Sequence, residues 1–479
     1  MEPQELTGAV VPPEPDEVRH LTGTHGELVQ RAIAVLDANW MGHATRASAR
    51  LYPHQWSWDS ACIAIGYSTW DQARAQAELS WIFAGQWSNG LLPHIRFAKN
   101  ARYFPGPEFW RTDLSPLAPA DPPTSGIVQP PVHATAVWKV FRRARDADEA
   151  KAFLRELQPK LAAWHDYLYR ERTRGDDGLV EIWHPWESGM DNSPLWDTAL
   201  ERITLPPEAI PEYQRVDVEF VDAAQRPTND HYDRYAYLVK LYRDRGYDAE
   251  RIRADCPFVV RDVLFNSLLA QANRDLAEIS RVTGDDPEPY ETWANRIAAT
   301  LEAALWDEDE AIYFDYDVRA GELIPERTGA GFSPLYAGVP SAARVIRLVE
   351  RLGNCQVAIE GAGRAVASVP PDDPRFEPAL YWRGPIWPMI NWVVHEGLLR
   401  YGLAREAADI RRAVIALAER EGLWEHYHAV TGEGGGTSTS RGPRRSSSTC
   451  STRSAKEEGV REKAEAAFGV SSIQPDRTT

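Results

Sequence analysis

The sequence predicts an all-α fold in one large catalytic domain, and three observations predict it. Apolar residues recur at steps of three and four through most of the chain. Alternating, strand-like stretches are few and short. The connections between helical segments are long, polar and rich in tryptophan, as on a helical scaffold that carries its chemistry on loops.

Taken in order, helical patterning covers 25–39, 59–70, 71–86 and 132–145. Leu154, Leu157, Leu161, Trp164 and Leu168 continue it, and Pro159 inside that run predicts a kink or a split. Next come 231–244, then Leu264, Leu268, Ala272, Leu276 and Ile279, then Trp293, Ile297, Leu301 and Leu305. Segments 341–352, 386–401 and 403–420 complete the series. Alternation at Leu179–Trp183 and Ile312–Val318 reads as small hairpins set in loops. Segments 86–131 and 181–230 are too long for ordinary helix connections, which marks them as functional loops. No repeat of a solenoid kind is present.

Composition bounds the function. With 479 residues and 43% hydrophobic residues, the chain can bury a sizeable core. The net charge of −17 argues against nucleic acid and anionic membrane as partners, while leaving room for a small anionic substrate held by a local arginine. The acidic, proline-rich stretch Met1–Val18 lacks the basic start and apolar run of a signal peptide. No stretch approaches the roughly 18 apolar residues of a membrane span. Four cysteines without a CxxC pair suggest neither a zinc site nor a disulfide framework, so a cytoplasmic location is expected.

The 18 tryptophans carry two readings. One is a large aromatic core. The other is a sugar site, where indole faces cover the C–H faces of a pyranose while polar groups take its hydroxyls.

Five motifs favour the second. Tyr52-Pro53-His54-Gln55-Trp56-Ser57-Trp58-Asp59 sets a carboxylate beside two tryptophans, although Asp59 could instead cap a helix. Gln86-Trp87-Ser88-Asn89-Gly90 presents polar and aromatic groups around a turn, or is a plain loop. Trp183-His184-Pro185-Trp186-Glu187-Ser188-Gly189-Met190-Asp191 places two acids four residues apart among tryptophans. There partial desolvation would keep a carboxyl protonated as a general acid. Tyr381-Trp382-Arg383-Gly384-Pro385-Ile386-Trp387-Pro388 leads a loop into a helix, with Pro388 suited to the first turn. Trp424-Glu425-His426-Tyr427, followed by Glu433, offers two further carboxylates. Glycoside hydrolysis needs two carboxyl groups flanking the scissile bond, and the third and fifth motifs supply one each.

The order PHQWSWDS, QWSNGLLPHI, SGIVQPP, WESGMDNSP, YWRGPIWP and WEHYHAVTGEG resembles the bacterial members of glycoside hydrolase family 63. Within that family it is similar to the glucosylglycerate and mannosylglycerate hydrolases, and it is more distantly similar to trehalases and glucoamylases. The resemblance spans roughly Leu51 to Gly434. It implies a single (α/α)6 barrel spanning 21–436, with the site at one mouth, and an inverting mechanism without metal or cofactor. It implies Asp191 as general acid and Glu425 as general base, with Glu433 as the other candidate base. Trp56, Trp58, Asp59, Gln129, Glu187, Tyr381 and Trp382 would line the sugar pocket. Arg226, Tyr232 and Tyr52 would hold a glycerate carboxylate, Arg226 by a bidentate contact. A surface salt bridge is the other reading of Arg226. The implied partner is a small α-linked glycoside bearing glycerate, glucosylglycerate or mannosylglycerate, and a homo-oligomer is left open. Competing functions are a trehalase-like or oligosaccharide α-glucosidase and a sugar-binding pseudoenzyme.

The ends depart from that pattern. Residues 1–20 read as a flexible lead-in, and 437–479 as a disordered tail unlike the family. From Thr437 to Ser454, fifteen of eighteen residues are Ser, Thr or Arg. Read one base earlier, with suitable third bases, the codons from Thr439 to Ser451 give Asp-Phe-Ser-Trp-Thr-Ala-Ala-Leu-Val-Leu-Asp-Leu-Leu, an ending of the family's kind. A frameshift near 434–439 is therefore expected. It would cost the last barrel helix and, with it, buried side chains worth on the order of 2–5 kcal/mol each.

Overall fold

Two rows of helices account for most of the computed structural model, which describes residues 25–99, 101–206, 209–210 and 212–438. The long helices are α1 Gly26–Asn39, α2 Ser57–Tyr67, α3 Gln72–Phe83, α4 His133–Arg143, α5 Ala147–Arg172 and α6 Asn229–Asp244. After them come α7 Val263–Thr283, α8 Glu288–Ala304, α9 Ala342–Leu352, α10 Pro388–Arg400 and α11 Ala404–Glu421. Each lies where the three-and-four periodicity predicts a helix.

The inner row runs α2 on α4, α4 on α7, α7 on the 3-10 segment Gly329–Leu335, and that segment on α10. Its members are apolar on more than one face. In α7, Leu264, Leu268, Leu269, Leu276 and Ile279 are all buried. The outer row covers it with single apolar stripes: α3 against α2 and α4, α5 against α4 and α7, α8 against α7, α9 against the 3-10 segment, and α11 against α10. On α9 the inward stripe is Val345, Leu348 and Leu352, while Ile346 faces out. Helix α1 bridges α11 of the outer row and α2 of the inner row. Its Leu28 clusters with Ala413 and Leu417 of α11, and its Leu36 carbonyl accepts the Tyr67 hydroxyl of α2. Among the described residues no helix stands between α10 and α2 in the inner row. The two face each other across a cavity, Pro388 and Met389 on one side and Cys62 and Ile63 on the other.

Local signals start the helices. Asp146 accepts the N–H groups of Asp148 and Glu149 before α5, Thr228 accepts from His231 before α6, and Asp262 accepts from Phe265 before α7. Helix α5 runs unbroken through Pro159, contrary to the expected split. Pro159 and Arg155, whose carbonyl loses its helical partner there, are both on the exposed face, open to solvent.

Strands are short and lie in the loops. Gln55–Trp56 pairs antiparallel with Ile95–Arg96, and Trp424–Tyr427 with Gly434–Ser438. Ile312–Tyr313 pairs with Trp306–Asp307, and Tyr316–Asp317 with both Val260–Arg261 and Glu322–Leu323. The expected hairpin at Leu179–Trp183 reduces to single bridges, Val180 to Thr173 and Ile182 to Val260. Thr437 and Ser438 belong to the last strand, so the packed chain continues two residues past 436. The expectations for 1–20 and for the tail beyond Ser438 lie outside the described residues. No helix among the described residues is long and apolar enough to cross a membrane.

Candidate active site

The tryptophans divide between the two readings. Trp110, Trp164, Trp183 and Trp196 are fully buried core residues. Trp56, Trp58, Trp186, Trp382, Trp387 and Trp424 line one cavity of about 430 Å³ at the mouth of the inner row. That size is within the range of small-molecule sites.

The long loops bring acids and cations to this cavity. The turn Pro185–Ser188 ends at Gly189 with φ +74°, where a Cβ would stand 2.7 Å from the Trp58 ring, so only glycine lets the loop cross Trp58 and deliver Asp191. Tyr235 fixes that loop by donating to the Asp191 carbonyl at 2.7 Å. Burial pushes the Asp191 carboxyl up to about 6, and the charge on Glu425 adds to it against the pull of Arg226. Asp191 therefore keeps its proton up to about pH 6, well above an ordinary carboxyl.

Glu425 has the opposite setting. It lies in the strand Trp424–Tyr427, and its Oε1 accepts the hydroxyls of Tyr381 at 2.9 Å and Tyr52 at 3.2 Å. Its Oε2 accepts the Thr437 N–H at 3.1 Å. Gly436, at φ +74°, lets the returning strand come this close, because a Cβ there would overlap Oε2. Burial raises the phenols of Tyr52 and Tyr381, so both remain donors. Three donors thus fix the position of this one carboxylate.

Arg226 completes the wall. It is 6% exposed, which removes the surface salt-bridge reading. Its Nε donates to Asp217 Oδ2 at 3.0 Å, its Nη1 to the Tyr52 hydroxyl at 3.2 Å, and its guanidinium lies 4.1 Å from the Tyr381 ring centre. Tyr232 lines the same side and donates to the Phe104 carbonyl at 2.9 Å. Asp59, Gln129, Tyr381 and Trp382 also line the cavity. Asp59 is pushed up to about 7 by burial and by the charge on Glu425, and Gln129 Oε1 accepts the Trp58 N–H at 3.2 Å. Trp382 stacks on Trp387 at 3.7 Å between ring centres, with a left-handed backbone of φ 59°.

Two of the expected site residues do not line the cavity. Glu187 is wholly buried beneath it and forms a bidentate pair with Arg172 at 2.8 and 2.9 Å, while accepting the Trp183 N–H at 2.7 Å. Its aromatic neighbours belong to the core, so the expected sugar contact is corrected to a loop anchor. Glu433 is exposed at the hairpin turn, accepting from Thr431 Oγ1 at 3.3 Å, because the turn carries it away from the side that Glu425 faces. His94 and Trp387 line the cavity although their motifs did not mark them as pocket residues, Tyr103 lines it from outside every motif, and Asp217 supports Arg226 from behind. Among the described residues no cluster of His, Cys, Asp or Glu could hold a metal ion.

Two acids in unlike settings, an arginine and stacked indoles describe a glycosidase pocket, and the comparisons with known proteins agree. The family described as mannosylglycerate hydrolase MGH1-like glycoside hydrolase domain matches residues 52–443. The chain belongs to this family of glycoside hydrolases. The hydrolase is 48% identical over 413 residues to the mannosylglycerate hydrolase of Rubrobacter radiotolerans, covering 86% of this chain and 93% of the relative. It is 37% identical over 425 residues to the glucosylglycerate hydrolase of Mycolicibacterium hassiacum, covering 86% and 94%. Among solved structures it matches the family 63 mannosylglycerate hydrolase of Thermus thermophilus in complex with Tris and D-glycerate. That match has a TM-score of 0.80 and 44% identity, over 85% of this chain and 96% of the other.

Proposed function

We propose that the hydrolase cleaves an α-linked hexosyl glycerate, mannosylglycerate or glucosylglycerate, with inversion at the anomeric carbon. One observation carries the reading: a buried carboxyl raised to about 6, a carboxylate held by three donors, and a buried arginine all border one indole-lined cavity. Asp191 gives its proton to the glycosidic oxygen, which leaves as the hydroxyl of glycerate. Glu425 takes a proton from water as the water oxygen bonds to the anomeric carbon, and the opposite anomer is released. Trp56, Trp58, Asp59, Gln129 and Trp382 hold the hexose. Arg226, with Tyr52, Tyr232 and Tyr381 around it, takes the glycerate carboxylate. The relatives put mannosylglycerate first as substrate, and the D-glycerate bound in the Thermus enzyme supports the carboxylate contact. A cytoplasmic location belongs to the same reading, in keeping with the free thiols of Cys62, Cys256 and Cys355.

Proton NMR of the hexose released in the first minutes by the frame-restored protein tests this, with α-mannosylglycerate, α-glucosylglycerate and trehalose as substrates. The β-anomer should appear first, from a glycerate substrate. First release of the α-anomer overturns inversion. Hydrolysis of trehalose but of neither glycerate substrate overturns the substrate class.

We propose further that the whole domain is an (α/α)6 barrel whose sixth inner helix is displaced by a frameshift beyond the last strand. Two observations favour this: among the described residues the inner row opens between α10 and α2, and the chain leaves Ser438 beside Trp424 at that opening. The other-frame peptide, Phe-Ser-Trp-Thr-Ala-Ala-Leu-Val-Leu-Asp-Leu-Leu, has the apolar content an inner helix needs. On this reading the chain as written binds sugar with little or no turnover. The gene's DNA sequence and a melting comparison decide it. The frame-restored protein should melt higher, and equal melting temperatures would sink the idea.

A further inference from the structure

Arg226 does not face the cavity as an independent cation. Its Nε is tied to Asp217 Oδ2 at 3.0 Å, and an isolated Arg226–Asp217 pair would carry no net charge. A second arginine changes that balance. Arg215 donates Nε to Asp217 Oδ1 at 3.0 Å and Nη2 to Oδ2 at 2.6 Å, a two-bond fork. Its Nη1 is held by the Pro227 carbonyl at 2.6 Å and Asn229 Oδ1 at 3.1 Å, and its guanidinium lies 4.5 Å from the Tyr232 ring centre. Arg215 and Asp217 are each 8% exposed. Neither lines the substrate cavity, and Arg215 instead borders a groove behind it, with Leu205, Tyr213 and Asp233.

We propose that Arg215 is a specificity-determining positioning residue that neutralises Asp217 and so leaves Arg226 a full positive charge for an anionic aglycone. The three side chains sum to one positive charge with Arg215 present and to none without it. Asp217 is thereby a tether and not a competitor: it aims Arg226 through Nε, while Arg215 absorbs its charge. Burial alone would push the Asp217 carboxyl up. The hydrogen bonds from Arg215 and the charges of both arginines outweigh it and hold the carboxyl below the usual range, so Asp217 stays an anion and needs that second cation.

This inference rests on the proposed glycerate carboxylate at Arg226, and the experiment separates the two. The frame-restored protein and its variants are assayed for KM and kcat on mannosylglycerate and for the inhibition constant of D-glycerate, beside uncharged glycerol. Arg215→Gln should raise both KM and the glycerate constant by roughly tenfold or more, as loss of a buried charge partner does, with a smaller effect on kcat. Glycerol inhibition should not move. The double variant Arg215→Gln with Asp217→Asn restores one net positive charge and should recover most of the loss. A purely structural role for Arg215 predicts no such recovery. If Arg215→Gln leaves glycerate binding intact while Arg226→Gln abolishes it, this inference fails and the substrate reading stands. If Arg226→Gln also leaves it intact, the substrate reading itself fails. Should Arg215→Gln not fold, the double variant is compared with Arg226→Gln. Weak glycerate binding by a folded double variant then overturns the proposal.

Discussion

Tyr381 donates its hydroxyl to Glu425 Oε1 at 2.9 Å while its ring lies 4.1 Å from the guanidinium of Arg226, so one side chain touches both the proposed base and the proposed anion-binding cation. Hydrogen bonds to charged groups contribute about 1.5–3 kcal/mol. Tyr381→Phe keeps the ring under Arg226 and removes the donor. We expect kcat/KM to fall roughly ten- to hundredfold by that principle, with the glycerate inhibition constant nearly unchanged.

Asp191 and Glu425 should be separable from Glu433 by substitution. Asp191→Asn should lower kcat by about 10²–10⁴-fold on glycerate glycosides, the range for a general acid. It should lower it far less on a glycosyl fluoride, whose leaving group needs no proton. Glu425→Gln should abolish turnover of both. Glu433→Gln, altered at an exposed turn, should leave kcat within about twofold, the behaviour of surface positions. Loss of activity in Glu433→Gln would reassign the base.

The pH profile follows from the acid. As the proposed general acid, Asp191 would act only when protonated, and it is raised to about 6, so kcat/KM should decline as pH rises through about 6. Stability has the same sign. Burial raises Asp59 to about 7 and Asp191 to about 6, and it raises Asp315 beside the buried Asp262 as well, so above the ordinary carboxylate range the folded state binds more protons than the unfolded one. Stability from these groups is therefore full at low pH and is lost as pH rises through about 6 to 7. Asp315 packs away from the cavity, accepting the Val263 N–H at 2.6 Å. Asp315→Asn should flatten the fall in melting temperature across that interval, and an unchanged slope would contradict the assignment.

The pair Glu187–Arg172 should govern stability and not substrate affinity. Breaking a fully buried ion pair costs about 3–5 kcal/mol, because the remaining charge is left unpaired. Glu187→Gln should lower the melting temperature substantially while KM, measured well below it, stays close to the parent value. A raised KM at full stability would return Glu187 to the sugar site.

Helices were legible because burial on one or two faces imposes a period that sequence records directly. Leu264 to Ile279 shows it without ambiguity. The Asp191 and Glu425 motifs were legible because acids seldom sit among tryptophans without a reason. Glu187 sits in the same aromatic context, yet its partner Arg172 lies at the end of a helix fifteen residues earlier, and no local pattern reveals that encounter. Asp217 and Arg215 were silent for a related reason. Two residues apart from each other and about ten from Arg226, they form no motif, and their role exists only once the loop folds back. Tyr103 carried no signal beyond being aromatic.

The gap between α10 and α2 among the described residues has an electrical meaning. A cavity walled by Leu36, Ile63 and Met389 on its open flank is a place where bulk water can replace protein. Asp191 owes its high proton affinity first to being kept from that water. The titration midpoint of this one carboxyl thus gauges, from within, whether the ring around it is shut. On the proposal that a further helix shuts this flank, a protein carrying it should bind that proton more tightly than one whose flank is flooded, so closure and proton affinity would be one property measured in two ways.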